Sequence, residues 1–472
     1  MKYEARQFRV SSRAGSVREL VVLAAPLVLA HMSQSMMWVV DTFLMKWVGT
    51  VEQGAVGLSG IMFWAVACLF AGTMTAISVL VAQDYGAGKS DLARHVRTGL
   101  VLVVPMALIM MWIGTLVGDG LVLTNISDQA RPHAEGYLRI RFYGAPLILV
   151  SFALSSFLRG IGDTVTPMIA AITANVCNVI VALVLVFGYL GFEPMGVAGA
   201  AWATVVASGI EAAIYVGFYI FGASARSHGS RKVAVPGVAE IRQFLLLGVP
   251  MGVAWLFETV AWAAFSAYAG SRPPEELAAH SVLFQVCGFC MMPSVAFSIA
   301  ATILVGQYLG ANRIDLARKS AVNAAAVGAL YMLVVGIALG VFRHPLMALF
   351  NNDPAVVAMG ATVALLAALY QPFDGFAIVA QGIMRGAKQT TMPTLIMLGS
   401  GFFMFIPLVW YLGDYRNMGI VGAWMAAVAH VVLIASLLAL AVARSRVFRG
   451  RNTLVVNTRD VHRCDAHRGG SA

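Results

Sequence analysis

Gln83-Asp84-Tyr85-Gly86-Ala87-Gly88-Lys89-Ser90-Asp91-Leu92-Ala93-Arg94 occurs a second time, as Gln307-Tyr308-Leu309-Gly310-Ala311-Asn312-Arg313-Ile314-Asp315-Leu316-Ala317-Arg318. Seven of the twelve positions are identical at an offset of 224 residues, and an eighth exchanges Lys89 for Arg313. Each copy follows a long apolar segment and turns through glycine into a basic helix start. The echo continues outward. Arg18, Leu23 and Pro26 meet Arg242, Leu247 and Pro250; Phe157-Leu158-Arg159-Gly160 meets Ile383-Met384-Arg385-Gly386; Met195-Gly196 meets Met418-Gly419. The chain is therefore a duplication, and the repeat says where to divide it.

Composition says what was duplicated. Of 472 residues, 60% are hydrophobic and only 11% charged, with a mean hydropathy of +0.81. A soluble domain carries about 25% charged residues, so this is an all-α integral membrane protein. A spanning helix needs about 20 apolar residues. Twelve transmembrane helices are expected, near 20–45, 55–83, 97–118, 134–158, 167–190 and 197–221, then 243–269, 277–308, 320–342, 355–383, 393–412 and 420–443. Residues 1–18 form an N-terminal segment, 19–221 an N-lobe, 222–242 a linker, 243–443 a C-lobe and 444–472 a basic tail. Six helices per repeat is an even number, so the repeats run parallel, and a central cleft between them is the expected substrate path.

Charge gives sidedness. On this count 25 of the 32 basic residues fall on the side of the termini and of the repeated turns, which places both termini in the cytoplasm by the positive-inside rule. The formal charge of +10 is thus read as loop charge on a membrane protein, and no nucleic-acid partner is expected. Cys287-Gly288-Phe289-Cys290 has a redox spacing without a partner pair and reads as helix packing; no disulfide framework is expected. His462, Cys464 and His467 have metal-binding residue types but belong to a basic tail. No Walker loop, nucleotide fingerprint, zinc motif or nucleophile elbow is present, so neither enzyme chemistry nor direct ATP use is expected, and no cofactor.

Four acids lie well inside predicted helices: Asp41, Glu211, Glu258 and Asp374. A charge at the bilayer centre costs about 2.5–3.5 kcal/mol on insertion scales, and such residues face polar interiors. Asn175 and Asn178 occupy one face of the fifth helix and are placed to share a polar site with Asp41. Trp255, Glu258, Thr259 and Trp262 share a face of the seventh; an acid between two indoles suits a lipophilic cation through charge and cation–π contact. Met292 joins Trp255 and Trp262 as a substrate-contact candidate. Asp374 lies between Pro372 and Gly375, where a bend is expected, with Tyr370 one turn earlier. Glu211 has no polar company in the sequence. Asp353, before Pro354, reads as a helix cap.

With the proline-then-Asp41 first helix, both Gln-x-x-Gly-Ala turns, Arg159-Gly160-x-Gly162-Asp163-Thr164-x-x-Pro167, Arg385-Gly386-x-x-x-Thr390-x-x-Pro393, Glu258 and the Tyr370–Asp374 pair, the sequence resembles the multidrug and toxic compound extrusion (MATE) transporters, in the bacterial NorM-like branch. The resemblance spans roughly residues 16–445. It implies two six-helix lobes around a cleft, in the bacterial inner membrane, exporting cationic amphiphiles against inward Na+ or H+. It also implies a C-lobe cation site at Glu258 and Asp374 with Tyr370 beside them (a Na+ site if sodium is the coupling ion), and an N-lobe site at Asp41 with Asn178. A monomer is expected. The competing reading is a flippase of lipid-linked precursors in the same superfamily, which would call for a more basic centre.

Overall fold

The computed structural model describes residues 14–120, 128–222, 226–230, 232, 234–445 and 447–448. Every regular element among them is helical. In hydrocarbon each backbone N–H and C=O has to be satisfied within its own segment, so so apolar a sequence folds this way. The first half comprises α1 (Val17–Leu44), α2 (Thr50–Met74), α3 (Ala76–Gly86), α4 (Ala93–Gly120), α5 (Arg131–Tyr143), α6 (Ala145–Gly160), α7 (Val165–Phe187) and α8 (Gly196–Phe221). The second comprises α9 (Val238–Gly270), α10 (Pro274–Cys290), α11 (Met292–Gly310), α12 (Ile314–Val341), the short α13 (Arg343–Phe350), α14 (Pro354–Gly386), α15 (Thr391–Ser400), α16 (Ile406–Trp410) and α17 (Gly419–Arg444). Two π-helical turns, Gly401–Phe405 and Tyr411–Tyr415, carry α15 and α16 on as one rod.

Among the described residues, eleven stretches are long and apolar enough to cross a membrane; α5 and α6, bent by 47° around Gly144, make a twelfth. Twelve spans were expected from the sequence. The breaks were not: the second span divides at Thr75, the fourth at Gly144 and the eighth at Met291. At Asp374, where a bend is expected, the helix is not interrupted. The helix α14 runs unbroken across Pro372 from Pro354 to Gly386, and Gly375 is used for close packing on α12, where its Cα faces the Gly328 carbonyl. Asp353 caps α14, its Oδ1 accepting from the Ala355 N–H at 2.8 Å.

The repeated stretch has a specific conformation. At one end of the bundle α3, α6, α11 and α14 stop at Gly86, Gly160, Gly310 and Gly386, then turn through a left-handed residue: Gly88 (φ 69°), Gly162 (88°), Asn312 (56°) and Lys388 (58°). At each turn the next N–H, from Lys89, Asp163, Arg313 or Gln389, returns to a carbonyl five residues back at 2.9–3.0 Å. These are Schellman caps, which favour Gly or Asn in the left-handed place. Lys388 is the one long side chain among the four.

The halves meet through backbone as well as side chains. Gly72 on α2 faces Gly252 on α9, and Gly248 faces the Thr73 carbonyl. Gly86 on α3 touches the Gln307 carbonyl of α11, and reciprocally Gly310 touches the Gln83 carbonyl; no Cβ fits at either place. Small residues let membrane helices approach this closely. The first helix of each half also crosses over. Phe244, Leu247 and Met251 of α9 are buried in the first-half core with Met74, Ile77 and Leu80, while Leu20, Ala24 and Leu27 of α1 are buried with Ala300, Leu304 and Ala321 of the second half.

Gly375→Val is expected to lower the thermal unfolding temperature and the yield of monodisperse protein, because the added methyls meet the Gly328 carbonyl and Met332; overpacking of this kind costs about 1–3 kcal/mol. Gly217→Ala, which meets nothing within 4 Å, is the control and should leave both unchanged. Equal unfolding temperatures would refute the close-packing role.

Candidate functional site

In the N-lobe, α1 delivers Asp41, 3% exposed, to a polar pocket formed with α7 and α8. The Thr204 hydroxyl donates to Asp41 Oδ2 at 3.1 Å, and the Asn178 amide donates to Thr204 Oγ1 at 3.5 Å. Tyr137 and Arg141 of α5 stand within electrostatic reach of Asp41. Arg141 is one of the seven basic residues that the sequence puts on the side away from the termini. Instead, its guanidinium turns inward and lies 4.2 Å over the Phe63 ring. Asp41 Oδ1 is buried without a hydrogen-bond donor. Asn175, one turn from Asn178, is held elsewhere: its amide donates to the Ser33 carbonyl at 2.8 Å and to Ser33 Oγ at 3.0 Å.

Glu211, solitary in the sequence, acquires partners in space. Tyr215 donates to its Oε1 at 3.2 Å, and Arg159 stands within electrostatic range. Arg159 itself spends its donors on the Ser155 carbonyl and on the hydroxyls of Ser155 and Ser156, in its own helix.

In the C-lobe, Glu258 of α9 and Asp374 of α14 are close enough to interact with one another, and Arg385 is the basic group that reaches Glu258. Tyr370 is 5% exposed; its ring stacks on Trp424 with centroids 6.2 Å apart, and Cys287 sits at its hydroxyl. Gln371 is fully buried beside them, with its amide 3.5 Å from Cys287 Sγ and its Oε1 unpartnered. Trp262 packs among Phe265, Phe284, Phe405 and His430, so its indole helps build the aromatic wall behind the acids. Trp255 and Met292 are half-buried. His280 and His430 are stacked on phenylalanine rings, as core histidines are. Among the described residues no three of His, Cys, Asp or Glu converge on a metal position; His462, Cys464 and His467 lie outside those residues.

The interior charges therefore differ between the lobes. In the N-lobe, Asp41 faces Arg141 and Glu211 faces Arg159; in the C-lobe, Arg385 faces Glu258, and Asp374 faces Glu258. With all of them ionised, the N-lobe interior is neutral and the C-lobe interior carries one uncompensated negative charge.

Comparison with known proteins gives the same two-part division. A sequence model of the MatE family matches residues 26–184 and again 250–411, two copies that begin at Pro26 and Pro250. The chain belongs to the MatE family. It is 30% identical over 433 residues to a probable multidrug resistance protein NorM of Neisseria meningitidis, covering 89% of this chain and 92% of that one. It is 29% identical over 435 residues to the multidrug resistance protein MdtK of Yersinia enterocolitica, covering 90% and 94%. Among solved structures, the eukaryotic MATE transporter AtDTX14 superimposes with a TM-score of 0.84 at 18% identity, over 92% of this chain and 96% of that one. A MOP-superfamily transporter from Pyrococcus furiosus, described as having a binding pocket of reverse polarity, superimposes with a TM-score of 0.79 at 17% identity, over 90% and 94%. The fold of this MatE protein is thereby shared, and its own acids must say what its interior attracts.

Several interior residues escape a reading of the sequence. Thr204 and Ser208 fall on one face of α8 with Glu211 at helical spacing, a signal that a polar stripe in the sixth span carries. Arg141 and Gln371 gave no such signal; only the break at Gly144 and the pairing of α10 with α14 turn them inward. Removing one member of the Asp41–Arg141 pair should be worse than removing both. Arg141→Gln and Asp41→Asn are each expected to lower thermal stability, and the double variant to recover part of it, with a coupling of about 0.5–3 kcal/mol as for other buried networks. Strictly additive losses would show that the two charges do not compensate one another.

Proposed function

We propose that this MatE protein is a secondary multidrug exporter that carries cationic amphiphiles outward in exchange for inward Na+ or H+, its lobes rocking between two open states. The observation that carries this reading is the C-lobe pair Glu258 and Asp374, two acids in reach of one another with the one base Arg385 facing Glu258. A carboxylate in a low-dielectric interior requires a partner, which is a proton, a metal cation or an organic cation. Two acids and one base leave room for one such positive charge at a time, so a small cation and a cationic drug exclude each other there. Exclusive occupancy is what antiport needs, because each species then leaves when the other arrives. The aromatic wall of Trp262, Phe265, Phe405 and Trp424 behind the pair suits a flat or lipophilic cation. Tyr370, with its hydroxyl near Asp374, offers a neutral oxygen to a small cation.

The N-lobe site at Asp41 is compensated by Arg141 and serves as a second polar station, with Thr204 and Asn178 orienting the carboxylate. The relatives named for multidrug resistance support the drug-export reading. A lipid-linked precursor would bring phosphate charge and call for a cationic centre, which the acidic C-lobe does not supply. The excess of basic residues at the Schellman-capped end supports a location in the bacterial inner membrane with that end and both termini in the cytoplasm. A charge falling through 100 mV releases about 2.3 kcal/mol, enough for about a fiftyfold gradient of a neutral solute.

Purified protein in liposomes, given a Na+ gradient and a proton gradient separately, identifies the coupling ion. Glu258→Gln and Asp374→Asn are each expected to abolish cation-driven drug efflux while expression and folding persist. Undiminished efflux in both variants would overturn the assignment of the C-lobe pair.

A further inference from the structure

A helix leaves its last carbonyls without intrahelical donors. At the end of α6 the Gly160 carbonyl, and at the end of α14 the Gly386 carbonyl, are such groups, and each is satisfied from the opposite lobe. Gln83 of α3 donates through Nε2 to the Gly386 carbonyl at 2.8 Å. Gln307 of α11 donates through Nε2 to the Gly160 carbonyl at 3.0 Å. The two bonds are related by the same duplication that relates the two glutamines. Where α3 and α11 cross, Gly86 and Gly310 bring the main chains into contact, so the amides reach across with no side chain in the way. Near them, buried Asp84 holds Lys89, Arg94 and His95 at 2.6–2.7 Å, and Lys388 of the other lobe stands within its electrostatic range. Burial pushes the Lys388 ammonium below its usual range, and the Asp84 carboxylate partly offsets that.

The C-lobe also connects these bonds to the acids. Arg385 immediately precedes Gly386, the acceptor for Gln83. Its Nη2 donates to Ser298 Oγ at 2.8 Å, and Ser298 lies on α11, the helix that carries Gln307. Ser298 and Thr302 further tie α11 to α14, donating to the Ile378 and Gly382 carbonyls at 2.6 and 2.9 Å. Arg385 is also the base that faces Glu258. In the N-lobe the equivalent Arg159 binds serines of its own helix, so this connection exists on one side alone.

We propose that Gln83 and Gln307 form a reciprocal latch that holds the lobes together at the basic end, and that Arg385 is a positioning residue through which the charge on Glu258 sets the strength of that latch. The proposal rests on the alternating-access reading above and adds to it a device for coupling. Binding of a small cation at Glu258 competes with Arg385 for the carboxylate; Arg385 then shifts, and with it Gly386 and α11, the acceptor of one latch bond and the carrier of the other. Both bonds respond together because both end on the α11–α14 unit.

The test needs no drug, so it can fail independently of the export reading. In protein whose native cysteines are replaced, spin labels at Ser90 in the N-lobe and Arg318 in the C-lobe report the separation of the lobes at the basic end by pulsed electron resonance. Gln83→Met and Gln307→Met keep the side-chain length and remove the donor. Each is expected to raise the population of a longer distance about 2- to 12-fold, as one amide–carbonyl bond implies, and the double variant by more. Gln83→Glu, which loses the donor when ionised, replaces Gln83→Met should that variant not fold. A distance distribution unchanged in both single variants and the double variant overturns the latch. For the coupling, Glu258→Gln is expected to shift the distance populations in the presence of Arg385 and not in Arg385→Gln. A shift of the same size in both backgrounds, or none in either, overturns the role of Arg385. Absence of drug efflux by the unsubstituted protein, with these distance changes intact, would count against the substrate reading and leave the latch standing.

Discussion

A carboxylate inside hydrocarbon cannot stay charged without a counter-charge, and the interior of this protein is arranged around that requirement. Asp41 and Glu211 are each met by an arginine, while Glu258 is met by Arg385 and Asp374 stands beside Glu258. The duplication supplied two similar lobes, yet the acids do not occupy matching places: at the offset of 224 residues, Asp41 corresponds to Phe265 and Glu258 to Gln34. Phe265 stands in the aromatic wall behind the C-lobe acids, packed against Trp262, Phe405 and Trp424. The position that holds an acid within electrostatic reach of an arginine in one lobe is part of the hydrophobic lining in the other. Unequal charge on a symmetric frame gives the two lobes different electrostatic interiors.

The second position of the repeated stretch shows the same divergence on a smaller scale. Asp84 anchors Lys89, Arg94 and His95 within its own lobe. Tyr308, its counterpart, donates to Glu19 at 2.7 Å and so holds the first turn of α1 against the C-lobe. The two residues share a backbone place between a conserved-length turn and a crossing helix; one organises charge locally and the other fastens the chain's first helix.

Most of the architecture was legible in the sequence because it rests on strong, local signals. Twelve apolar runs, glycine at four capped turns and a bias of basic residues survive any error of a few residues at a helix end. The polar interior was legible only in part. Acids in apolar helices announce themselves through their desolvation cost, so Asp41, Glu258 and Asp374 could be named from the sequence. Their partners could not, because Arg141 resembles a loop charge until the chain breaks at Gly144, and Gln371 resembles any polar residue near a proline until α10 closes over it. At Pro372, where the sequence suggests a bend, α14 continues without a break: Ser298 and Thr302 of α11 fasten it, and Gly375 packs on α12. Asn175 and Asn178 share a helical face but bind different parts of α1 and α8, since one turn of helix carries a side chain past its neighbour's partner.

The crossing of α1 and α9 into opposite cores has a topological consequence. Leu20, Ala24 and Leu27 complete the second-half core, and Phe244, Leu247 and Met251 complete the first. Neither half could therefore bury its own apolar surface after a cut in the segment before α9; each would lack an element that its twin holds. The arrangement is that of a domain-swapped dimer whose two subunits have been joined end to end. A swap of this kind ties the fate of the two cores together, so the chain is expected to assemble as one cooperative unit even though its sequence reads as two.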